Sequence, residues 1–188
     1  MQYCIMTVGK THSGKTTFGM ELAKKIKQSC VLDADILSEF LKTTYPVLYQ
    51  SDWKENSQKK TQWYYLKVSL IIEIFKRALK TDATIISTAA NSNKKIRSRG
   101  RLLTHRAWRK LIIIYFNRPE NTLLERIKKS TRSKICLTQS QDFKDLLTNK
   151  QKKLFEYPSP KEADLFFEIN DDTSRNKVQK EIITLLKK

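Results

Sequence analysis

The chain has 188 residues, enough for one well-cored α/β domain and few for two. Its 37 Lys and Arg against 19 Asp and Glu leave a net charge of +18, which favours a polyanionic partner or reflects a compositional skew toward lysine. The apolar and aromatic content excludes a disordered chain. The three scattered Cys and two His exclude a Cys/His zinc site, and no apolar run is long enough for a membrane helix.

Five short apolar runs predict strands that are buried on both faces of a parallel sheet. The first run leads into a glycine loop and lacks the basic start of a signal peptide, so we expect a cytoplasmic protein without membrane contacts. The predicted strands are 3–8, 30–33, 84–87, 111–116 and 165–169.

Amphipathic stretches between these runs predict helices. The helices are expected at 15–27, at 57–80, after Pro119, from a capping box at 138–141 to residue 154, and at 174–187. Strand and helix alternate without an internal repeat or linker. The prediction is therefore a single doubly wound α/β domain over 1–188, with a five-stranded parallel sheet flanked by helices.

A phosphate-binding loop lies between the first strand and the first helix, where the pattern G-x-x-x-x-G-K-[ST] is complete from Gly9 to Thr16. Lys15 is expected to reach the β- and γ-phosphates of ATP, and Thr16 to offer its hydroxyl to Mg²⁺. His12 stands at a variable position of the pattern and is given no catalytic role. The residues expected to bind the nucleotide are Gly9, Thr11, His12, Ser13, Gly14, Lys15, Thr16 and Thr17.

Several segments add to this loop in order and spacing. Together they resemble small P-loop kinases that include phage-type polynucleotide 5′-hydroxyl kinases and, more remotely, zeta toxins and chloramphenicol phosphotransferase. The resemblance implies an ATP-dependent kinase fold over roughly residues 1–168. Its segments are Val31-Leu-Asp33-Ala-Asp35, 85–91, 94–97, 126–132, 155–158 and Glu162-Ala-Asp164.

The resemblance implies that Asp35 is the base that accepts the proton of the attacking hydroxyl, with Asp33 nearby as a substrate-binding carboxylate. The carboxyl end of the second strand, expected beside the strand of the phosphate loop, is a place where ligands bind in such sheets. The alternative is that one of the two carboxylates only caps the following helix.

A basic segment at about 126–137 matches the lid of related kinases. Arg126 and Arg132 are the expected catalytic cations, because guanidinium groups bind phosphate with two hydrogen bonds. The alternative is a solvated basic loop. A second basic stretch begins at Lys94. Arg97 is expected to point toward the acceptor because it matches an arginine of the family, and Trp108 is expected to be buried in the core. The alternative is that Trp108 stacks on a base while the basic residues around it bind a phosphate backbone or form a solvated face.

Two departures from the family pattern bear on function. The third strand ends at Thr88 without an acidic residue, so metal support from that side requires Thr88, Ser87 or Asp33. Ser38 replaces the arginine that holds the acceptor phosphate in polynucleotide kinases.

The main hypothesis is a kinase for the 5′-hydroxyl of a nucleic-acid end. The alternatives are a kinase for a small metabolite, nucleoside, antibiotic or sugar nucleotide, and an ATP-binding nucleic-acid-binding module without transfer.

Overall fold

The computed structural model describes residues 2–46, 57–132 and 142–187, with the backbone only for residues 57–64. Five strands of the described residues form one parallel sheet, and each lies within one residue of its predicted bounds. The strands are β1 (Tyr3–Gly9), β2 (Ser29–Leu32), β3 (Thr84–Ser87), β4 (Lys110–Phe116) and β5 (Leu165–Ile169).

The strand order is β2-β3-β1-β4-β5. The expectation that the second strand lies beside the first is therefore wrong, because β3 pairs with both β1 and β2. The chain moves to one side of β1 for β2 and β3 and to the other side for β4 and β5. Ligands of open α/β sheets bind at such a switch point, outside the carboxyl ends of the strands, and here that place is the loop after β1.

Helices cover both faces of the sheet, as predicted for an α/β domain. The longer ones are α1 (Lys15–Ala23), α2 (Ala34–Thr44), α3 (Ser57–Ala78), α4 (Lys94–Arg106), α5 (Glu120–Lys128) and α8 (Asp172–Leu186). Between α5 and β5 lie two short α-helical turns, α6 (Phe143–Asp145) and α7 (Lys152–Leu154), joined by a π-helical segment (Leu146–Gln151). A 3₁₀ turn (Pro160–Glu162) precedes β5.

Alternate residues of β1 pack into two cores on opposite faces of the sheet. Ile5 belongs to the core formed with Phe18 of α1 and Ile182 of α8. Met6 belongs to the core formed with Ala78 of α3. A strand covered on both faces is apolar at every position, which explains why a continuous apolar run predicted it correctly.

Two predicted helices differ in extent. The first helix ends at Ala23 instead of residue 27, because the chain tightens into turns in which Lys25 N–H donates to Leu22 O at 3.0 Å. The predicted capping box at 138–141 lies outside the described residues. In the described part, the side chain of Asp142 accepts from the Asp145 amide at 2.8 Å and so caps the start of α6.

Trp108 is not in the core, so that prediction is wrong. Its side chain is 94% exposed, and its φ of 58° places it in the left-handed region just after α4. The apolar neighbours in the sequence suggested a buried helical face, but the helix ends at Arg106 and the chain turns before Trp108 could reach that face.

Candidate active site

The phosphate loop joins the end of β1 to the first turn of α1, as the motif predicts. Gly14 has a φ of 99°, a conformation that residues with a side chain rarely adopt. At Gly9, an added Cβ would lie 2.9 Å from both Phe116 Cβ and Ser13 Oγ. The loop therefore needs glycine at position 9 because a side chain has no room there, and at position 14 because a side chain would strain the backbone.

Lys15 is buried beneath the loop. Its Nζ donates to Lys10 O at 2.7 Å and to Ser13 Oγ at 3.2 Å. Burial lowers the pKa of Lys15 to about 8, with the carboxylates of Asp35 and Asp33 acting in the opposite direction. Burial deprives the ammonium group of its hydration, and its two hydrogen-bond acceptors are uncharged. An anionic ligand would supply the compensating charge, so the site is well suited to one.

Asp33 connects the phosphate loop to the end of the third strand. Its Oδ2 accepts hydrogen bonds from Thr16 Oγ1 at 2.8 Å and Thr88 Oγ1 at 2.7 Å. Its Oδ1 accepts from the amides of Asp35 and Ile36 and caps α2. Burial alone would raise the pKa of Asp33, but these four hydrogen bonds lower it below its ordinary value, so the carboxylate stays ionised.

The same contacts resolve which carboxylate caps α2. Asp33 is the cap, and Asp35 in the first helical turn is left to face the cavity, where it forms an ion pair with the guanidinium of Arg132. The two residues predicted as base and lid cation are therefore in direct contact.

Arg126, at the end of α5, lies over the phosphate loop. Its Nη1 is 3.4 Å from the carbonyl oxygens of both His12 and Ser13, and it is the nearest described side chain to the open side of Gly14. Its Nη2 lies 3.6 Å from Asp172 Oδ1. The part of the predicted lid at 133–137 lies outside the described residues.

His12 packs beside the lid side of the loop. Its ring centroid is 4.7 Å from that of Phe143, and Arg132 Cζ lies 5.2 Å from the same phenyl centroid. Burial first, and then three nearby cationic side chains, lower the pKa of His12 to about 4, so the ring is neutral at physiological pH. Its Nδ1 shares a 2.9 Å hydrogen bond with Thr11 Oγ1, and the Thr11 amide donates to Gln151 Oε1 at 2.8 Å.

These groups line one cavity of about 650 Å³ at the carboxyl edge of the sheet. The predicted residues that line it are Thr11, His12, Gly14, Lys15, Thr16, Thr17, Asp33, Asp35, Arg126 and Arg132. Gly9 and Ser13 belong to the loop but not to the cavity wall.

Sequence reasoning did not assign Glu39, Lys67, Phe143 and Gln151, which also line the cavity. Glu39 lies four residues after Asp35 and so on the same face of α2, a spacing that could have identified it, whereas the other three have no regular spacing from the motif.

Arg97 lies outside this cavity, which corrects its expected position. Its side chain is fully buried, and its Nε donates to Glu162 Oε2 at 2.7 Å. Its Nη1 donates to the carbonyl oxygens of Asn91 at 3.0 Å and Glu156 at 2.9 Å. With its donors directed to the segment before β5, Arg97 holds that segment against α4 and is not placed to contact an acceptor.

The residues present suit a magnesium ion. Among the described residues, no group of three or more His, Cys, Asp or Glu side chains could form an all-protein metal site. Mg²⁺ instead favours one or two protein oxygen ligands together with substrate phosphates and water. The Thr16 hydroxyl and the ionised Asp33 carboxylate provide such a pair beside the phosphate loop, and Thr88 holds Asp33 from the strand that lacks an acid.

Comparisons with known proteins agree with this architecture. The sequence model of a family described as "AAA domain" matches residues 4–158. A comparison with curated proteins gives no match. Within the described part of the chain, every helix is too short or too polar to cross a bilayer.

Three solved structures share the fold at low sequence identity. A candidate kinase from Chloroflexus aurantiacus has a TM-score of 0.68 and 16% identity, covering 99% of this chain and 96% of that one. The APS kinase CysC of Mycobacterium tuberculosis, in complex with AMPPNP and APS, has a TM-score of 0.55 and 16% identity, covering 100% and 98%. Shikimate kinase from Acinetobacter baumannii, in complex with shikimate, has a TM-score of 0.55 and 17% identity, covering 100% and 94%.

Proposed function

The chain belongs to the AAA-domain family, whose sequence model matches residues 4–158, and from the geometry of its phosphate loop and cavity we propose that it is an ATP- and Mg²⁺-dependent phosphotransferase with a hydroxyl acceptor. The fold shared with an APS kinase and a shikimate kinase supports transfer to a small molecule over transfer to a nucleic-acid end. The single observation that carries the proposal is the position of Asp33, which accepts from both Thr16 and Thr88 while Asp35 faces the same cavity.

The nucleotide side of the cavity is the phosphate loop. Lys15 is placed to bind the β- and γ-phosphates, with loop amides and the amino end of α1 directing partial positive charge at the same oxygens. Thr16 and Asp33 would hold Mg²⁺, which when bound neutralises charge on the phosphate oxygens. Arg126 contacts the loop at Gly14, and its guanidinium would bind phosphate oxygens there.

Asp35 is the proposed base. It lies on the first turn of α2, two residues beyond Asp33, which would hold the metal, and it lines the cavity in which an acceptor hydroxyl would bind. Its partner Arg132 is close enough to bind the transferring group once the acceptor hydroxyl takes its place on the carboxylate. Asp35 orients the hydroxyl and takes its proton as the new phosphate ester forms.

The wall formed by α2 favours a small acceptor without a phosphate of its own. Asp35, Ile36 and Glu39 line the cavity there. Asp35 is paired with Arg132, so Glu39 is the carboxylate that opposes a phosphate group, and Lys67 of α3 adds one positive charge. Ser38 is buried, and its hydroxyl donates to Ala34 O at 2.9 Å, so it does not replace the missing phosphate-binding arginine. With Glu39 and Lys67 in balance, a neutral alcohol suits this wall.

The second candidate is the 5′-hydroxyl of a nucleic-acid end. The net charge of +18 favours a polyanionic acceptor. It requires an acceptor phosphate to bind near Lys67 and away from Glu39. The two candidate functions therefore differ in the charge of the acceptor group that would bind beside α2.

The test is transfer of the γ-phosphoryl group from labelled ATP to a panel of small alcohols, amino alcohols, nucleosides and 5′-hydroxyl oligonucleotides. Label on a small alcohol supports the main proposal, and label on oligonucleotides alone supports the second candidate. Release of free phosphate alone would contradict both.

Asp35→Asn should lower kcat by roughly 10²–10⁴-fold with little change in ATP affinity. The matched control is Asp82→Asn, since Asp82 is bound to Gln2 just before β3, at the other edge of the sheet. A full transfer rate in the Asp35→Asn protein would remove the assignment of the base.

A further inference from the structure

Trp108 is an unusual residue for its backbone position. Its amide donates to His105 O at 3.0 Å, and the next amide, of Arg109, donates to Thr104 O at 3.2 Å. This pair of hydrogen bonds is a Schellman motif, in which the residue with positive φ is usually glycine. Trp108 has a φ of 58° there, and its side chain is 94% exposed. A bulky side chain in this conformation is strained, and the core gains little from it.

A groove of about 570 Å³ lies between the carboxyl-terminal ends of α3 and α4, and Ala107, one of its lining residues, directly precedes this tryptophan. Leu103 and Ala107 contribute apolar surface on the α4 side. Four cationic side chains line it: Lys76, Arg77, Lys80 and Arg106. We call this region, with Trp108, the amino-edge groove.

The charge of the amino-edge groove is mostly unbalanced. Its acidic side chain, Glu73, accepts from Arg77 Nε at 3.0 Å on the exposed surface of α3. Lys76, Lys80 and Arg106 are exposed, and each is free to rotate toward an anion. Cations at helix carboxyl ends also suit the helix dipole, but that effect needs neither a groove nor an exposed indole.

Buried Arg109 fixes the two walls of the groove relative to each other. It follows Trp108, is 2% exposed, and its guanidinium donates to the carbonyl oxygens of Ala83 at 2.6 Å, Leu79 at 3.4 Å and Thr81. These carbonyls belong to the turn that leaves α3. The turn after α3 and the turn after α4 are thus held together, so the backbone at Trp108 is fixed relative to the end of α3.

The groove is distant from the proposed active site within the fold. It lies beside the turns that lead into β3 and β4, whereas the phosphate loop follows the carboxyl end of β1 in the same parallel sheet. It therefore adds a binding surface that phosphoryl transfer does not need.

We propose that the amino-edge groove binds single-stranded nucleic acid, with Trp108 stacking on a base and the four cations contacting successive phosphates. Single-strand binding surfaces combine a basic groove with an exposed aromatic side chain, and here the exposed Trp108 follows directly after a residue that lines the basic groove. An acidic protein partner would use the cations but would not account for an exposed indole in a strained backbone position. The proposal does not depend on the function assigned to the cavity at the other edge.

The test is binding of fluorescent single-stranded oligothymidine and oligouridine to the full chain, followed over a salt series. With four phosphate contacts, the slope of log K against log salt should be about −3, and Lys76→Gln with Lys80→Gln should reduce its magnitude by about 1.4. The matched control is Lys177→Gln with Lys180→Gln on α8, which removes the same charge from exposed positions elsewhere and should leave the slope unchanged.

Trp108→Gly tests whether oligonucleotide binding needs the indole itself, because this variant should lose affinity without losing stability. Glycine suits the positive φ, so the urea midpoint of this variant should be equal to or higher than that of the wild type, while oligonucleotide affinity falls roughly tenfold. Transfer to a small alcohol should be unchanged. An abasic strand should bind the wild type as weakly as the base-containing strand binds Trp108→Gly.

Three results would overturn the proposal. They are equal binding of abasic and base-containing strands, an equal effect of the lysine pairs on α3 and α8, and a lower urea midpoint in Trp108→Gly that accounts for the lost affinity. Binding of an acidic protein but of no oligonucleotide would also overturn it.

Discussion

Replacing Gly19 by alanine should destabilise the fold, whereas the same replacement at Gly100 should stabilise it. Both glycines lie inside helices, α1 and α4, where alanine is favoured over glycine by about 1 kcal/mol. They differ in what an added Cβ would meet. At Gly100 it would lie 2.5 Å from Met6 Cε, the end of a flexible side chain that can rotate away.

At Gly19 the neighbour is rigid. The added Cβ would lie roughly 1 Å inside ordinary van der Waals contact with Thr88 Cγ2, and 3.3 Å from Ile86 Cγ2. Both neighbours are β-branched residues at the end of β3, with restricted χ1. Forcing an extra methyl into such a site costs about 1–3 kcal/mol, from which the helix-propensity gain of about 1 kcal/mol is subtracted. We expect Gly19→Ala to lower the free energy of unfolding by up to about 2 kcal/mol and Gly100→Ala to raise it by up to about 1 kcal/mol.

Urea unfolding of both variants, followed by circular dichroism, measures these changes. Gly19→Ala also displaces Thr88, whose hydroxyl lies 2.7 Å from Asp33 Oδ2, so its requirement for Mg²⁺ in phosphoryl transfer should rise. Gly100→Ala controls for the helix effect and should keep the wild-type Mg²⁺ requirement. The reasoning is refuted if Gly19→Ala is as stable as Gly100→Ala, or if both alter Mg²⁺ dependence equally.

Three further outcomes are expected. The pKa of His12 is lowered from 6.5 to about 4 in the folded protein, so the unfolded chain binds the proton more readily. The free energy of unfolding should therefore fall as the pH drops from 6.5 toward 4. His12→Asn, whose asparagine tolerates the positive φ, should reduce this loss in urea unfolding measured at about pH 7 and about pH 5. Arg97→Met leaves Glu162 without its partner and should cost about 3–5 kcal/mol in urea unfolding, yet leave KM for the acceptor unchanged while the protein is folded. Arg132→Met should lower kcat by roughly 10²-fold with ATP Kd little changed in single-turnover and binding assays, and an unchanged kcat would contradict its role on Asp35.

The strands and the phosphate loop follow from the sequence because their causes are local. Strands buried on both faces are apolar at consecutive positions, and the loop requires glycine at two fixed positions and lysine beside the second. The strand order does not follow, since β3 is inserted between β1 and β2 through hydrogen bonds to both, which no spacing in the chain encodes. That insertion is also what brings Thr88 to Asp33 across 55 residues.

Arg97 and Trp108 show why the remaining predictions failed. Both are long side chains in a basic, partly apolar helical region, and such a pattern is compatible with a buried, exposed or ligand-binding role. The partners that bury Arg97, Glu162 and Glu156, lie about 60 residues later in the chain. The exposure of Trp108 depends on where α4 ends, which two hydrogen bonds at its carboxyl terminus determine.

The hydrogen bond between the Thr11 amide and Gln151 gives the phosphate loop a thermodynamic connection to a distant part of the chain. Gln151 ends the π-helical segment, so its side-chain direction depends on a helix whose hydrogen bonds span one residue more than those of an α-helix. We expect a ligand bound to the loop to change the stability of the π-helical segment. A change in that segment should in turn alter the affinity of the loop for the ligand by the same free energy. Hydrogen exchange at Thr11 would therefore report on events in both.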